Sequence, residues 1–203
     1  MSLIAMPTVA YTAGYPTLKR SEALDRVGER AFVGVEWADP AWTVDVATKP
    51  LDLDERLLVE AFREQATALQ TVLFKLLHEK TPAAYRTNPN AAAVNDAGSL
   101  VSVTGGKTAL INGVTNGLTM SRGDLFSFAA GDYRSLHRVM ANAVAATGQI
   151  TLNVEPAVPP YIAAGAVAKW REPELNMRVV PGSFQIANEF FPTATWQMTE
   201  VPR

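Results

Sequence analysis

One segment constrains the fold of this chain more than any other. Residues 53–79 read as a single amphipathic helix, inside a sequence otherwise made of short strand-like runs and turns. Leu58, Phe62, Leu69, Val72, Leu73 and Leu76 recur there at spacings of three, four and seven, the one-sided stripe of a helix packed on a larger surface. Leu57 and Leu77 broaden that stripe. Asp52 with Glu55 fits a capping box, and Thr81-Pro82 closes the segment, because proline cannot continue a helix. A β-rich chain with one long helix on its flank, and no catalytic signature, points to packing or assembly rather than chemistry.

The strand signals lie on both sides of the helix. One short strand is expected near Thr8–Tyr11. AFVGVEWA (31–38) and AWTVDVAT (41–48) are two strand-like runs, and Trp42, Val44 and Val46 alternate with polar or small residues as in a half-buried strand. Asp39-Pro40 between them is a turn signal, so the pair reads as an antiparallel hairpin. After a loop at 83–98, turn residues recur at Gly105-Gly106, Asn112-Gly113, Asn116-Gly117, Gly123-Asp124, Gly131-Asp132 and Gly148. The strands expected between them are Leu100–Val103, Thr108–Ile111, Leu125–Ala129, Leu136–Ala145 and Gln149–Val154, a spacing that suggests a small barrel or sandwich. PAVPPYIAAGA (156–166) punctuates again. Strands then resume at Ala168–Arg171, Asn176–Val180, Ser183–Phe190 and Thr193–Val201, the last with Ala194, Trp196, Met198 and Val201 on one face. The expected organisation is an insertion. Residues 1–94 and 166–203 form an outer β-sandwich with the flanking helix, and residues 95–165 form a small β-barrel spliced into it.

Composition narrows the chemistry. The chain has no cysteine, which removes disulfides, thiolate nucleophiles and cysteine-based zinc sites. A net charge of −2 lacks the basic footprint of a nucleic-acid binder or a polybasic membrane patch. No run of about 18 apolar residues could span a bilayer, and no positive segment precedes the short apolar stretch at the start. GGKT (105–108) resembles the end of a phosphate loop, but Val101 stands where the first glycine belongs and no helix follows. Arg122-Gly123-Asp124 reads as a turn. His78 falls near the expected helix end, where the dipole favours a cation. Ser135 and His137 are two apart, which in a strand puts both on one face, yet no nucleophile-elbow pattern accompanies them. Glu172 and Glu174, or Asp124 and Asp132, are carboxylate pairs of the kind any acidic chain contains. Trp37, Trp42, Trp170 and Trp196 are expected as core, or as a subunit interface. No metal or cofactor is expected.

The order of motifs resembles a known family. A hairpin ending in AWTVDVATKPLD leads to the helix DERLLVEAFREQATAL, then to GLTMSRGDLFSF, DYRSLHRVMANAVA and TGQITLNVEPAV, and finally to FQIANEFFPTATWQMTEV. Together these resemble minor tail proteins of long, non-contractile-tailed bacteriophages, specifically distal-tail-like proteins, over most of residues 40–201. The resemblance implies a tail-tube-like β-sandwich with a flanking helix, carrying an inserted barrel. It also implies a six-fold homo-oligomeric ring joining the tail tube protein to tail hub and tip proteins, in a virion assembled in the host cytoplasm. It implies no catalytic residue, and the charge balance leaves no membrane contact and no sequence-specific nucleic acid contact expected. The exposed helix side, Arg63, Glu64, Thr67 and Gln70, is then expected to face a neighbouring subunit or partner. Competing expectations are another tail part (terminator or hub), a carbohydrate-binding module using Tyr133, Tyr161 or Trp170 as stacking platforms, and a hydrolase with a carboxylate site.

Overall fold

The capping box forms as the sequence requires. The Glu55 N–H donates to Asp52 Oδ1 at 2.8 Å and the Asp52 N–H donates to Glu55 Oε2 at 3.1 Å, which satisfies two of the helix's orphan donors. The computed structural model describes residues 3–27, 31–67, 70–78 and 80–201, with side chains except those of 23–37 and 67. In chain order it contains β1 (Leu3–Ala5), β2 (Tyr11–Ala13), β3 (Pro16–Val27), β4 (Ala31–Thr48), α1 (Leu53–Thr67) and β5 (Thr71–Lys75). A 3-10 turn (Ala83–Tyr85) and a short α2 (Ala92–Asn95) follow, then β6 (Gly98–Thr104), β7 (Thr108–Asn112), β8 (Thr119–Met120), β9 (Leu125–Ala130) and β10 (Tyr133–Val139). The chain ends with β11 (Ala143–Val144), β12 (Gln149–Glu155), β13 (Val167–Lys169), β14 (Glu174–Val179), β15 (Gln185–Ile186) and β16 (Ala194–Glu200). The protein is mainly β with one long helix.

The helix is shorter than its stripe suggested. It stops at Thr67, and Thr71–Lys75 is a strand between β1 and β14. Thr71, Val72 and Phe74 are all buried. A strand covered on both faces reads as a continuous apolar run, which helical spacing fits as well as strand spacing does. The buried helix face is Val59, Phe62 and Ala66, while Leu58 and Leu57 are more than half exposed. Leu69 lies outside the described residues.

A second difference concerns Asp39-Pro40. Residues 31–48 form one continuous strand, and its hairpin partner is β3. Proline has no N–H for a ladder, but the pairing shifts register between Lys19 and Glu22, opposite this dipeptide, so no donor is required there. Of the expected Leu136–Ala145 strand, the structure keeps β10 and the two-residue β11, and of Ser183–Phe190 only β15.

The strands make an eight-stranded sheet of order β1-β5-β14-β16-β4-β2, with β15 on β16 and β3 on β4, and a closed barrel of order β10-β12-β7-β6-β13-β9. Each has its own core. Trp42, Val44, Val46, Phe62, Phe74, Met177, Trp196 and Met198 fill the space between the sheet and α1. Leu100, Ile111, Phe126, Phe128, Leu152 and Trp170 fill the barrel. The barrel's last strand, β13, lies beyond residue 165, and Trp170 packs in the barrel rather than with the outer sheet. Leu125 and Leu136 point the other way, from the barrel into the outer core, so the two units share a packed seam.

Candidate functional site

Chemistry-bearing side chains collect along that seam, and strand register explains why. Ile4 pairs with Val72, Val72 with Met177, Met177 with Glu200, and Leu18 with Trp42. Thr199 pairs with Thr43, so the next residues along, Glu200 and Trp42, are adjacent. Residues opposite one another share a face. Glu200 therefore stands in an inward row whose other members are Ile4, Val72, Met177, Trp42 and Leu18. Its Oε2 accepts the Trp42 backbone N–H at 3.0 Å. Burial pushes the Glu200 carboxyl up to about 7, against the smaller lowering effect of that hydrogen bond. Trp42 is fully buried. Its indole N–H donates to the Leu136 carbonyl at 2.8 Å, tying sheet to barrel, and the Arg138 guanidinium lies 5.3 Å from its ring centre.

Strand β10 brings Ser135 and His137 to the same junction. Both are buried, and Ser135 Oγ lies 2.8 Å from His137 Nε2. His137 Nδ1 lies 3.0 Å from the Pro156 carbonyl oxygen. A carbonyl only accepts, so Nδ1 carries the proton and the Ser135 hydroxyl donates to Nε2. These are the relations of a serine–histidine couple, with a main-chain carbonyl where a carboxylate would orient the ring. Burial between Phe126 and Phe128 pushes His137 down to about 4, opposed by the Pro156 bond, so the imidazole is neutral at physiological pH and a poor proton acceptor. The chain of bonds satisfies the buried Ser135 hydroxyl and His137 imidazole and the half-buried Pro156 carbonyl.

A cavity of about 370 Å³ opens beside these groups, lined by Ser135, Glu200, Pro156, Pro159 and Tyr161 among others. Burial, with the Glu200 charge adding to it, raises the Tyr161 phenol to about 12. A second cavity of about 490 Å³ shares Asp39, Pro40 and Pro156 and adds Arg20 and Lys107. Arg20, at the base of the β3–β4 ribbon, is ion-paired with Glu155 of the barrel.

A separate ion cluster locks the seam. Glu174 meets Lys169 at 2.8 Å, Arg134 at 3.0 Å and Lys75 at 3.6 Å. Burial alone would raise its carboxyl, but the hydrogen bonds and charges of Lys169 and Arg134 outweigh that and hold it below the usual range. Its N–H donates to Ser127 Oγ, and Asn176 Nδ2 donates to the Asp132 carbonyl.

The residues singled out from sequence fall in different places. Ser135 and His137 meet on the barrel-facing side of β10, with Ser135 also lining the cavity. His78 is exposed and follows β5, so it caps no helix. Arg63, Glu64 and Gln70 are exposed and distant in sequence from the cavity residues, with Gln70 past the end of α1, and the Thr67 side chain lies outside the described residues. Gly105 and Gly106 take positive φ in the β6–β7 turn. Asp124 of the Arg-Gly-Asp tripeptide is buried, where its carboxylate accepts the Ala83 and Ser121 N–H groups. Of the stacking platforms expected of a sugar-binding module, Trp170 is buried in the barrel, while Tyr133 and Tyr161 are half-buried, pack on each other at 5.5 Å, and Tyr161 lines the 370 Å³ cavity. The Trp37 side chain lies outside the described residues. Glu200 escaped notice, although it is in phase with Ala194, Trp196 and Met198. Among the described residues, no helix is long and apolar enough to cross a membrane. No protein family matches the chain, and no curated protein matches it at a significant level.

Proposed function

We propose that this protein is a structural ring component of a long-tailed phage tail tip, a distal-tail-like protein that joins the tail tube to the host-recognition apparatus. The observation that carries the reading is the β3–β4 ribbon. Thr43–Ala47 of β4 pair with β16 in the main sheet. From Ser21 and Ala38 outward to Val27 and Ala31, the two strands pair only with each other among the described residues. At about 3.3 Å per residue this arm is roughly 20 Å long. A lone two-stranded ribbon is marginal in water, and its outer edges carry unpaired backbone groups that a neighbouring copy can satisfy. A head-to-tail contact of that kind closes into a ring when the rotation fits.

The order of motifs supports the same reading, as does a seam built from packed tryptophan, an ion cluster around the buried Glu174 and shared core residues. The test is the mass and symmetry of the purified full chain, by light scattering and then negative-stain imaging. The expected result is a particle of about six times 21.9 kDa with six-fold symmetry. Replacing the arm by a short turn should leave folded monomers. Rings that persist without the arm, or a chain that stays monomeric at every attainable concentration, would overturn the proposal.

A further inference from the structure

The seam cavity has a chemistry that ring assembly does not use. Its walls are Pro40, Ala41, Pro156, Val158, Pro159 and Pro160, carbon surfaces of which four are prolines with no N–H to donate. Two of the residues lining it, Asp39 and Glu200, are acidic, and none is basic. The Ser135 hydroxyl already donates to His137. One Glu200 oxygen is held by the Trp42 N–H, and the other has no hydrogen-bond partner among the described residues. A largely apolar cavity lined by the half-buried Glu200 carboxylate and the exposed Asp39 carboxylate suits neither an anion nor a polyol, which would need several donors and acceptors along its walls. It is the complement of an aliphatic stem ending in a positive charge.

We propose that this cavity binds a primary alkylammonium group of the kind carried by a lysine side chain, with the Glu200 carboxylate as its counter-ion. The stem packs on the prolines and Tyr161, the ammonium donates to Glu200, and Asp39 adds attraction at the entrance. The volume, about 370 Å³, lies within the range of small-ligand sites and exceeds what a four-carbon stem fills, leaving room for flanking atoms. Asp39 on β4 and Tyr161 on the barrel side line the cavity with Glu200; Arg138 on β10 lies over Trp42, the neutral His137 holds Ser135, and Arg20, paired with Glu155, and Lys107 line the adjoining cavity that shares Asp39 and Pro156. Glu200 changes charge near neutrality, because its carboxyl ionises at about 7. Cation binding therefore releases a proton at lower pH, and affinity should fall about tenfold from pH 8 to pH 6.

The experiment is an NMR titration of the full chain with n-butylamine, Nα-acetyl-lysine-N-methylamide and, as a neutral control, Nα-acetyl-norleucine-N-methylamide. Both amines should shift resonances of the cavity residues at millimolar concentration, with the pH dependence above, and the norleucine compound should not. Tighter binding of the lysine amide than of butylamine would identify a side chain presented by a partner protein. Equal binding would identify a free amine. Glu200→Gln should weaken amine binding at pH 8 by at least about tenfold while the protein remains folded, because a charge-assisted bond is replaced by a neutral one. Asp39→Asn should weaken it less, and only at low salt. No amine binding, equal binding of the norleucine control, or unchanged binding to the Glu200→Gln variant would overturn the assignment.

Discussion

Replacing Glu200 by Gln should make the protein more stable at pH 8, although it removes a hydrogen-bonded side chain from the seam. In the folded state the carboxyl is raised from its ordinary value of 4.5 to about 7, chiefly by burial. A raised carboxyl contributes stability that is fully present below the unfolded value and is lost as pH rises through the folded one. The shift corresponds to about 3 kcal/mol at 1.36 kcal/mol per unit, most of it lost between pH 5 and pH 8. Glutamine keeps an oxygen to accept the Trp42 N–H and never ionises. Relative to the native chain, the variant should therefore gain about 2–3 kcal/mol over that interval. For a chain of this length that is about 5–10 °C in melting temperature. The assay is thermal unfolding of both proteins at pH 5, 6, 7 and 8, comparing differences only. His137 titrates with the opposite sign but equally in both proteins, so it cancels. A melting difference independent of pH, or one that moves against the variant as pH rises, would refute the reasoning. The expected gain is also what a binding site predicts, since a charge kept in an apolar row costs stability until a ligand neutralises it.

Other substitutions test the remaining seams. His137→Leu breaks both bonds of the imidazole and strands the Ser135 hydroxyl and the Pro156 carbonyl, which should cost about 2–4 kcal/mol in urea unfolding. The native chain should lose stability as pH falls from 6.5 toward about 4, because the unfolded chain takes up a proton that buried His137 refuses, and that component should vanish in the variant. Trp42→Phe leaves the Leu136 carbonyl unpaired at the junction and should cost about 1–3 kcal/mol, again by urea unfolding. Gly98→Ala would bring a methyl to 2.6 Å from Ile111 Cγ2 and 2.9 Å from Val114 Cγ1, so overpacking of about 1–3 kcal/mol should appear in a melting curve. Asp52→Ala removes one half of the capping box and should cost about 1 kcal/mol by the same measurement.

Local patterns decided a good deal by themselves. The alternation of Trp42, Val44 and Val46, and of Ala194, Trp196 and Met198, placed two strands and their buried faces, because a half-buried strand has a period of two wherever it pairs. Asp52 and Glu55 placed the helix start, since a cap is made within four residues. Glycine-punctuated runs placed the barrel strands approximately. Tertiary structure decided what depends on a partner distant in sequence. Thr71–Lys75 became a strand because β1 and β14 flank it, and an apolar run covered on both faces carries no period of its own. Asp39-Pro40 passed through a strand because a register shift in β3 freed it from the ladder. The candidate site was half visible: Ser135 and His137 share a strand face, and that spacing is local. Its other half depends on register across three strands and on a loop from the barrel. Only folding brings Glu200 between Met177 and Trp42, and the proline wall against it.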